Sequence, residues 1–260
     1  CIRDRPEIVQ NLSGRSPHRG EMTDWTSVDL HAHTSWSADA RTSPAELVER
    51  AEEEGIGRIA VTDHGEIEGA LVARSIDPCR VIVGEEIRCA GRTELIGLFL
   101  SERIPQGLSV QETADRIRDQ GGIVYAPHPW AYAYRPARHA ARSIAVADIV
   151  EVFNSRAFWE RWNRRAAESA GSEGRVMAAR SDAHFPNEIG RARTALPAFE
   201  GPQGLLEALS VGQPMALTVG SPFVHVASVL IAARRRLTLL PTDQAGWETV
   251  SARRGGPAIG

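Results

Sequence analysis

"DLHAHTSWSADA", residues 29–40, sets His31 and His33 one residue apart and places Asp39 six positions beyond the second histidine. On a strand, side chains at i and i+2 project from the same face, so the two imidazoles point together. Two accounts fit the stretch taken alone. It is either a buried strand whose histidines are satisfied by neighbours, or the first third of a metal site whose other ligands lie further along.

Outward from it, short β-like runs alternate with amphipathic helical windows. "SVDLHAHT" (27–34) reads as a strand and "SPAELVERAEEEG" (43–55) as a helix, with Ser43 as cap, Pro44 at its first position and Gly55 at its end. "RIAVTDH" (58–64) is a second strand, followed by a helix near 66–75. "CRVIVGEEIRC" (79–89) and "TELIGLFL" (93–100) are β-like, and the "AGR" between them suits a hairpin. "SVQETADRIRDQGG" (109–122) is a capped helix that leads into the strand "IVYAPHP" (123–129). "DIVEVFNS" (148–155) is again β, and "AFWERWNRRAAESAG" (157–171) is a helix with Phe158, Trp162 and Ala166 on one face. The strand "RVMAARSDAH" (175–184), the helix "GPQGLLEALSVG" (201–212), the strand "MALTVG" (215–220) and a helix over 223–235 complete the pattern. Such alternation implies a mostly parallel sheet with covered faces. No GxGxxG follows the first strand, which argues against a dinucleotide-binding fold.

Polar residues choose between the remaining architectures. His31 with His33, His64, Glu86, His128, and Asp182 with His184 each fall at or near the C-terminal end of a different predicted strand. In a closed parallel barrel those ends meet on one face. In an open sheet only those near the switch point converge. Five strand ends favour the barrel, and five of the eight histidines occupy them, several beside carboxylates.

With those residues in place, the chain resembles the PHP (polymerase and histidinol phosphatase) family, metal-dependent phosphoesterases related to the amidohydrolases. "DLHAHT" is similar to the family's opening motif, "VTDHG" (61–65) to its T-D-H, and "VGEEI" (83–87) to its G-x-E, which points to Glu86 rather than Glu85. "GGIVYAPHP" (121–129) and "RSDAH" (180–184) followed by "EIGRART" (188–194) continue the match in order. The resemblance implies a distorted (β/α)7-type barrel over 23–235, with two or three divalent ions (Zn, Mn or Fe) at the C-terminal ends of the strands. Carried over residue by residue, His31, His33, Glu86 and Asp182 hold the first ion, and Asp39, His64 and His184 the second. Glu86 bridges to a third ion, which His128 also binds. Where many members place another His or Cys, this chain has Glu151 and Asn154, and the Asn154 carbonyl is the candidate substitute.

Imidazole and carboxylate ligation suits Zn²⁺, Mn²⁺ or Fe²⁺, and closely spaced ions acidify a water and clamp a phosphoryl oxygen. The resemblance therefore implies hydrolysis of a small phosphorylated metabolite or nucleotide by metal-activated water. Asp182, Glu86 and His184 are its candidate catalytic residues, and Asp182 also suits proton uptake. Asp63, adjacent to His64, points elsewhere and is expected to orient a ligand. Arg135, Arg156 and Arg191 are candidate phosphate contacts, since guanidinium forks suit phosphate. Hydrolysis of a C–N bond and a catalytically idle PHP module stand as alternatives.

Bulk properties limit the rest. At 260 residues, 42% hydrophobic and net charge −3, the chain suits a soluble globular protein of one large α/β domain or two small ones. Its scattered arginines argue against nucleic acid larger than a nucleotide or short oligonucleotide. Apolar runs stop short of bilayer length, and three irregularly spaced cysteines fit a reducing cytoplasm. Residues 1–22 read as a disordered extension ahead of a start near Met22, and 236–260 as a loose tail.

Overall fold

The computed structural model describes residues 25–131, 135–157, 159–220 and 223–238. The extension expected over 1–22 lies outside them, as do 239–260 of the expected tail and Tyr132, Tyr134 and Phe158.

Along the chain come β1 (Trp25–Ala32), α1 (Pro44–Glu53), β2 (Arg58–Val61), α2 (Glu68–Ile76), β3 (Val81–Arg88), β4 (Glu94–Leu98), α3 (Val110–Asp119) and β5 (Ile123–Ala126). Then follow α4 (Pro136–Val146), β6 (Ile149–Asn154), α5 (Glu160–Ser172), β7 (Val176–Arg180), β8 (Arg193–Pro197), α6 (Gly201–Ser210), β9 (Gln213–Met215) and α7 (Phe223–Thr238). Local chemistry sets the helix starts. The Ser43 and Ser109 side chains accept the backbone N–H of Glu46 and Glu112, capping α1 and α3, and Pro44 opens α1.

The sheet runs β7-β6-β5-β4-β3-β2-β1-β8-β9. Past β7 the chain crosses to β1: the Asp182 N–H donates to the His31 carbonyl at 2.9 Å and the His33 N–H to the Ala183 carbonyl at 2.8 Å. Seven strands are thereby nearly closed into a barrel, and the closure lies at the C-terminal ends of the strands. At the other end, β8 runs antiparallel along Trp25–Val28 of β1.

Three features depart from simple alternation. β4 is antiparallel to both β3 and β5, because the short connection through Gly91 (φ +77°) leaves no room for a crossover helix. β8 was not expected from the sequence; it occupies the part of β1 that β7 does not reach. The strand expected over 215–220 lies instead at Gln213–Met215, where it pairs with β8.

Two register shifts decide which side chains face inward. Asp29 pairs with Ile59 and Ala32 with Val61, so β1 spends three residues where β2 spends two. Ile59, Val61 and Ala32 lie in the apolar layer under α1 and α2. Without the bulge, His31 would share the face of Asp29; with it, His31 and His33 turn inward. On β6, Glu151 pairs with Ala178 and Phe153 with Ala179, so a second bulge brings Asn154 round to the side of Glu151. The barrel interior below the polar site is filled by Leu30, Ala60, Ile82, Ile96, Leu98, Tyr125 and Ile149.

Candidate metal centre

Four inward-facing atoms converge at one point of the strand ends. His31 Nε2 and His33 Nε2 are 3.0 Å apart. Glu86 Oε2 lies 3.5 and 3.4 Å from them, and Asp182 Oδ1 3.5 and 3.3 Å. Such separations suit donor atoms sharing one ion at about 2.0–2.2 Å.

Neighbouring hydrogen bonds fix which nitrogen faces the centre. The His31 Nδ1–H donates to Glu151 Oε2 at 2.9 Å, and the Tyr125 hydroxyl donates to the same oxygen at 2.6 Å. The Ser37 hydroxyl donates to Asp63 Oδ1 at 2.6 Å, so its oxygen accepts from His33 Nδ1–H at 3.2 Å. The His184 Nδ1–H donates to the Asp182 carbonyl at 2.9 Å. All three rings therefore turn Nε2 lone pairs inward.

These lone pairs meet carboxylates. Both Glu86 oxygens are buried, with His64 Nδ1 3.0 Å from Oε2 and His128 Nε2 3.4 Å from Oε1. Buried carboxylate oxygens 3.3–3.5 Å from imidazole nitrogens call for positive charge, carried either by a proton on a ring or by a cation between them. The donor set thus fits a divalent ion.

The second group fits similarly. Asp39 Oδ2 lies 3.4 Å from His184 Nε2 and 3.6 Å from His64 Nε2, and donors of His33, His64 and His184 cluster within 4.8 Å. Backbone pairing seats Glu86 between the groups: the Gly65 N–H donates to the Glu86 carbonyl, and the Glu86 N–H to that of Asp63. Glu86 Oε1 turns the other way, 3.4 Å from His128 Nε2. His128 (φ +59°) and Asp182 (φ +54°) both hold left-handed backbone that aims them into the site.

The electrostatics show the demand for positive charge. Burial opposes ionisation throughout, yet Asp182 and Glu151 hold His31 well above the usual imidazole range. Burial likewise opposes charge on His128, but Glu86 pushes it up to about 9. Against their own burial, Glu86 is held far below the carboxylate range by His64, and Asp182 by His31. His33 goes the other way: burial, with the neighbouring His184 and His64, lowers it to about 3.

Several expected residues occupy other roles. The Asn154 carbonyl accepts the Arg156 N–H at 2.7 Å, and its amide nitrogen donates to Glu151 Oε1 (2.6 Å) and Asp182 Oδ2 (3.1 Å). Asn154 thus braces Asp182 through its amide nitrogen while its side-chain oxygen holds the Arg156 backbone N–H. Arg135 stands exposed at the N-cap position of α4, on left-handed backbone and without a side-chain capping bond. Arg191 donates to the Asn187 carbonyl and does not line the cavity. Arg156 does line it, held by Glu188 (2.7 Å) and by Ser228 of α7 (2.9 Å). Asp63 takes three bonds, from the Thr34 N–H and the Thr34 and Ser37 hydroxyls, and so orders the loop from His33 to Asp39. Glu85 points to the opposite side, where it accepts the Ile104 N–H.

The ligands open into a cavity of about 300 Å³ that is also lined by Arg156 and by Ser228, Val229 and Ala232 of α7. Sequence reasoning did not assign that helix to the site. It also missed Glu94 of β4, which has a carboxylate oxygen within 4.8 Å of donors on Glu86 and His128. The hairpin held the signal for Glu94: Glu86 pairs with Ile96, so alternation sets Glu94 on the same inner face.

Comparison with known proteins agrees. A PHP domain model matches residues 29–124 and a PHP-associated model residues 160–214. An uncharacterized protein of Methanocaldococcus jannaschii is 35% identical over 140 residues, which span 49% of this chain and 81% of that protein. The chain belongs to the PHP family. A second uncharacterized protein of the same archaeon is 35% identical over 171 residues, 64% of this chain and 68% of its own length. In solved structures the PHP fold recurs in a two-domain Bacteroides vulgatus protein containing a predicted PHP-like metal-dependent phosphoesterase. There the TM-score is 0.61 at 20% identity, over 79% of this chain and 69% of that one. An amidohydrolase from Chromobacterium violaceum, solved with bound sulfate and no metal, gives a TM-score of 0.53 at 17% identity over 63% and 89% of the two chains.

Proposed function

We propose that this PHP protein is a metal-dependent phosphoesterase that hydrolyses a small phosphorylated metabolite or nucleotide. The observation that carries the reading is Glu86, a fully buried carboxylate with nitrogens of His31, His33 and His64 at 3.0–3.5 Å from Oε2 and His128 Nε2 at 3.4 Å from Oε1. His31, His33, Glu86 and Asp182 would hold one ion and Asp39, His64 and His184 another. When bound, such ions supply Lewis acidity toward a phosphoryl oxygen and acidify a water.

The protein's own groups do the rest. Arg156, fixed by Glu188 and Ser228, presents a guanidinium across the cavity that suits an anionic phosphoryl group. Asp182 Oδ2, steadied by Asn154, is placed to accept a proton from attacking water. The Glu188 carboxylate also accepts the His184 and Phe185 N–H groups, so one residue sets both the ligand turn and the arginine. The cavity suits a ligand of metabolite or mononucleotide size.

The test is a screen of metal-reconstituted protein against phosphomonoesters, cyclic phosphates and nucleotides, with Asp182→Ala as control. Phosphate release by the wild type and its loss in the variant are expected. Full activity in Asp182→Ala would overturn the metal-site assignment. Inertness toward every phosphoester combined with cleavage of a C–N substrate would favour the amidohydrolase alternative, which the Chromobacterium likeness supports.

A further inference from the structure

We propose that the face around the cavity mouth docks on an anionic lipid surface, with α7 lying in the headgroup layer and the arginines of α4 and α5 beside it. Such docking is independent of which bond the site cleaves.

The fold uses only one side of α7. There Ser228 is buried and bonds Arg156, and Ala232 lines the cavity. At about 100° per residue, Phe223, Val226, Val229, Leu230 and Ala233 share an arc of about 120° turned away from Ser228. Phe223 is 78% exposed, Val229 67%, Leu230 63% and Val226 56%, and Ala233 is exposed as well. Single exposed apolar residues need no explanation, but a continuous stripe on one helix face marks a contact surface. Val229 also lines the cavity, so the stripe runs into its rim.

Charge selects the occupant. Residues 208–242 contain no Asp or Glu, and three consecutive arginines, 234–236, follow the stripe in sequence; Arg234 is exposed. Pairing α7 with a second copy would set the arginine runs against each other, or against a helix start that offers no acid. The neighbouring rim has the same sign. α4 and α5 follow β5 and β6, adjacent parallel strands whose loops carry the cavity residues His128 and Arg156, so both helices start on the cavity face. Together they hold five arginines and two glutamates, in a chain of net charge −3. Arg138, Arg161, Arg164 and Arg165 are exposed, and the half-exposed Trp159 ring lies 4.7 Å from the Arg161 guanidinium. Tryptophan and arginine suit the headgroup level, where an apolar body and a polar tip are both satisfied. A helix with an apolar stripe and a basic flank lies in the interface without spanning it. A single-stranded nucleic acid would answer the arginines and leave the aliphatic stripe in water. An anionic lipid surface answers both.

The test is co-sedimentation of the full chain with vesicles of phosphatidylcholine alone and with roughly 30% phosphatidylserine added. Binding to the anionic vesicles, weak binding to the neutral ones and release by high salt are expected. Val226→Gln with Leu230→Gln should weaken binding at least about 10-fold, and Arg138→Gln with Arg164→Gln about 5-fold per arginine. All four positions are exposed and outside the cavity lining, so circular dichroism and metal content should be unchanged. Failure to bind anionic vesicles, equal binding to neutral ones, or binding that both variants leave intact would overturn the proposal. In that event a dimer split by the apolar substitutions would reassign the stripe to a second copy. Oligonucleotide binding lost in the arginine variant would reassign the rim to nucleic acid. None of these results bears on the phosphoesterase reading, which the Asp182→Ala screen tests separately.

Discussion

Replacing Glu151 by Gln tests whether the metal centre is built from its supporting shell. The carboxylate takes three buried donors: His31 Nδ1–H at 2.9 Å, the Tyr125 hydroxyl at 2.6 Å and Asn154 Nδ2 at 2.6 Å. A glutamine whose oxygen keeps the His31 and Tyr125 bonds turns its NH₂ toward Asn154, donor against donor. Asn154 cannot rotate its amide to compensate without surrendering the Arg156 N–H. One buried donor is then orphaned, costing about 1–3 kcal/mol, and His31 loses the charge that polarises it. Outer groups of this kind typically tune metal affinity by about 10–100-fold, or about 1.4–2.7 kcal/mol. Competition against a chromophoric chelator should therefore show Glu151→Gln binding its first ion about 10–100-fold more weakly. Tyr125→Phe, which leaves the carboxylate and its contact to His31, should lose less. Wild-type affinity in Glu151→Gln would refute the claim that this shell sets the His31 ligand.

Other expectations follow from the same geometry. Gly69→Ala should destabilise by about 1–3 kcal/mol in denaturant unfolding, although alanine favours a helix by about 1 kcal/mol. Its methyl would collide with the buried Asp63 carboxylate and Thr34 hydroxyl and come within 2.9 Å of the Trp36 ring; unchanged or increased stability would contradict that. Stripping metal should lower Tm in calorimetry: ions at 100-fold above Kd contribute about 2.7 kcal/mol, equivalent to roughly 5–10 °C for a chain of this size. Metal affinity should rise with pH from 6 to 8, because bound ions must displace protons that the carboxylates favour on His31, His64 and His128. An affinity flat across that range would mean these imidazoles are not ligands. Arg156→Lys should raise KM for a phosphorylated substrate more than it lowers kcat, since lysine keeps the charge but loses the fork.

Among the described residues no helix is long and apolar enough to cross a membrane. Cys79 is exposed and Cys89 buried, and neither forms a disulfide.

Much of the site was legible because its ligands sit in short segments whose spacing carries direction. The alternating HxH of residues 31–33 and DxH of 182–184, each at a strand end, announced themselves to strand periodicity, and the barrel followed from the number of such ends. Asn154 shows a ligand-capable side chain at the expected strand end, but not that its oxygen accepts the Arg156 N–H and its amide nitrogen braces Asp182. Glu94 needed the register of the β3–β4 hairpin to be read, and α7 stayed hidden because its approach depends on how distant segments meet.

The sequence by itself determined the residue types, their order and the strand ends that carry them, since these depend on local periodicity and capping. Only the tertiary structure decided which way they face. Plain alternation would set Asp29, His31 and His33 on one face of β1; the extra residue against β2 separates Asp29 from the histidines and turns the pair inward. A second bulge brings Asn154 beside Glu151, and the passage of residues 181–183 onto β1 draws Asp182 up to His31 and His33. Bulges and closure arise from hydrogen bonding between strands far apart in the chain, so no local pattern of side chains records them.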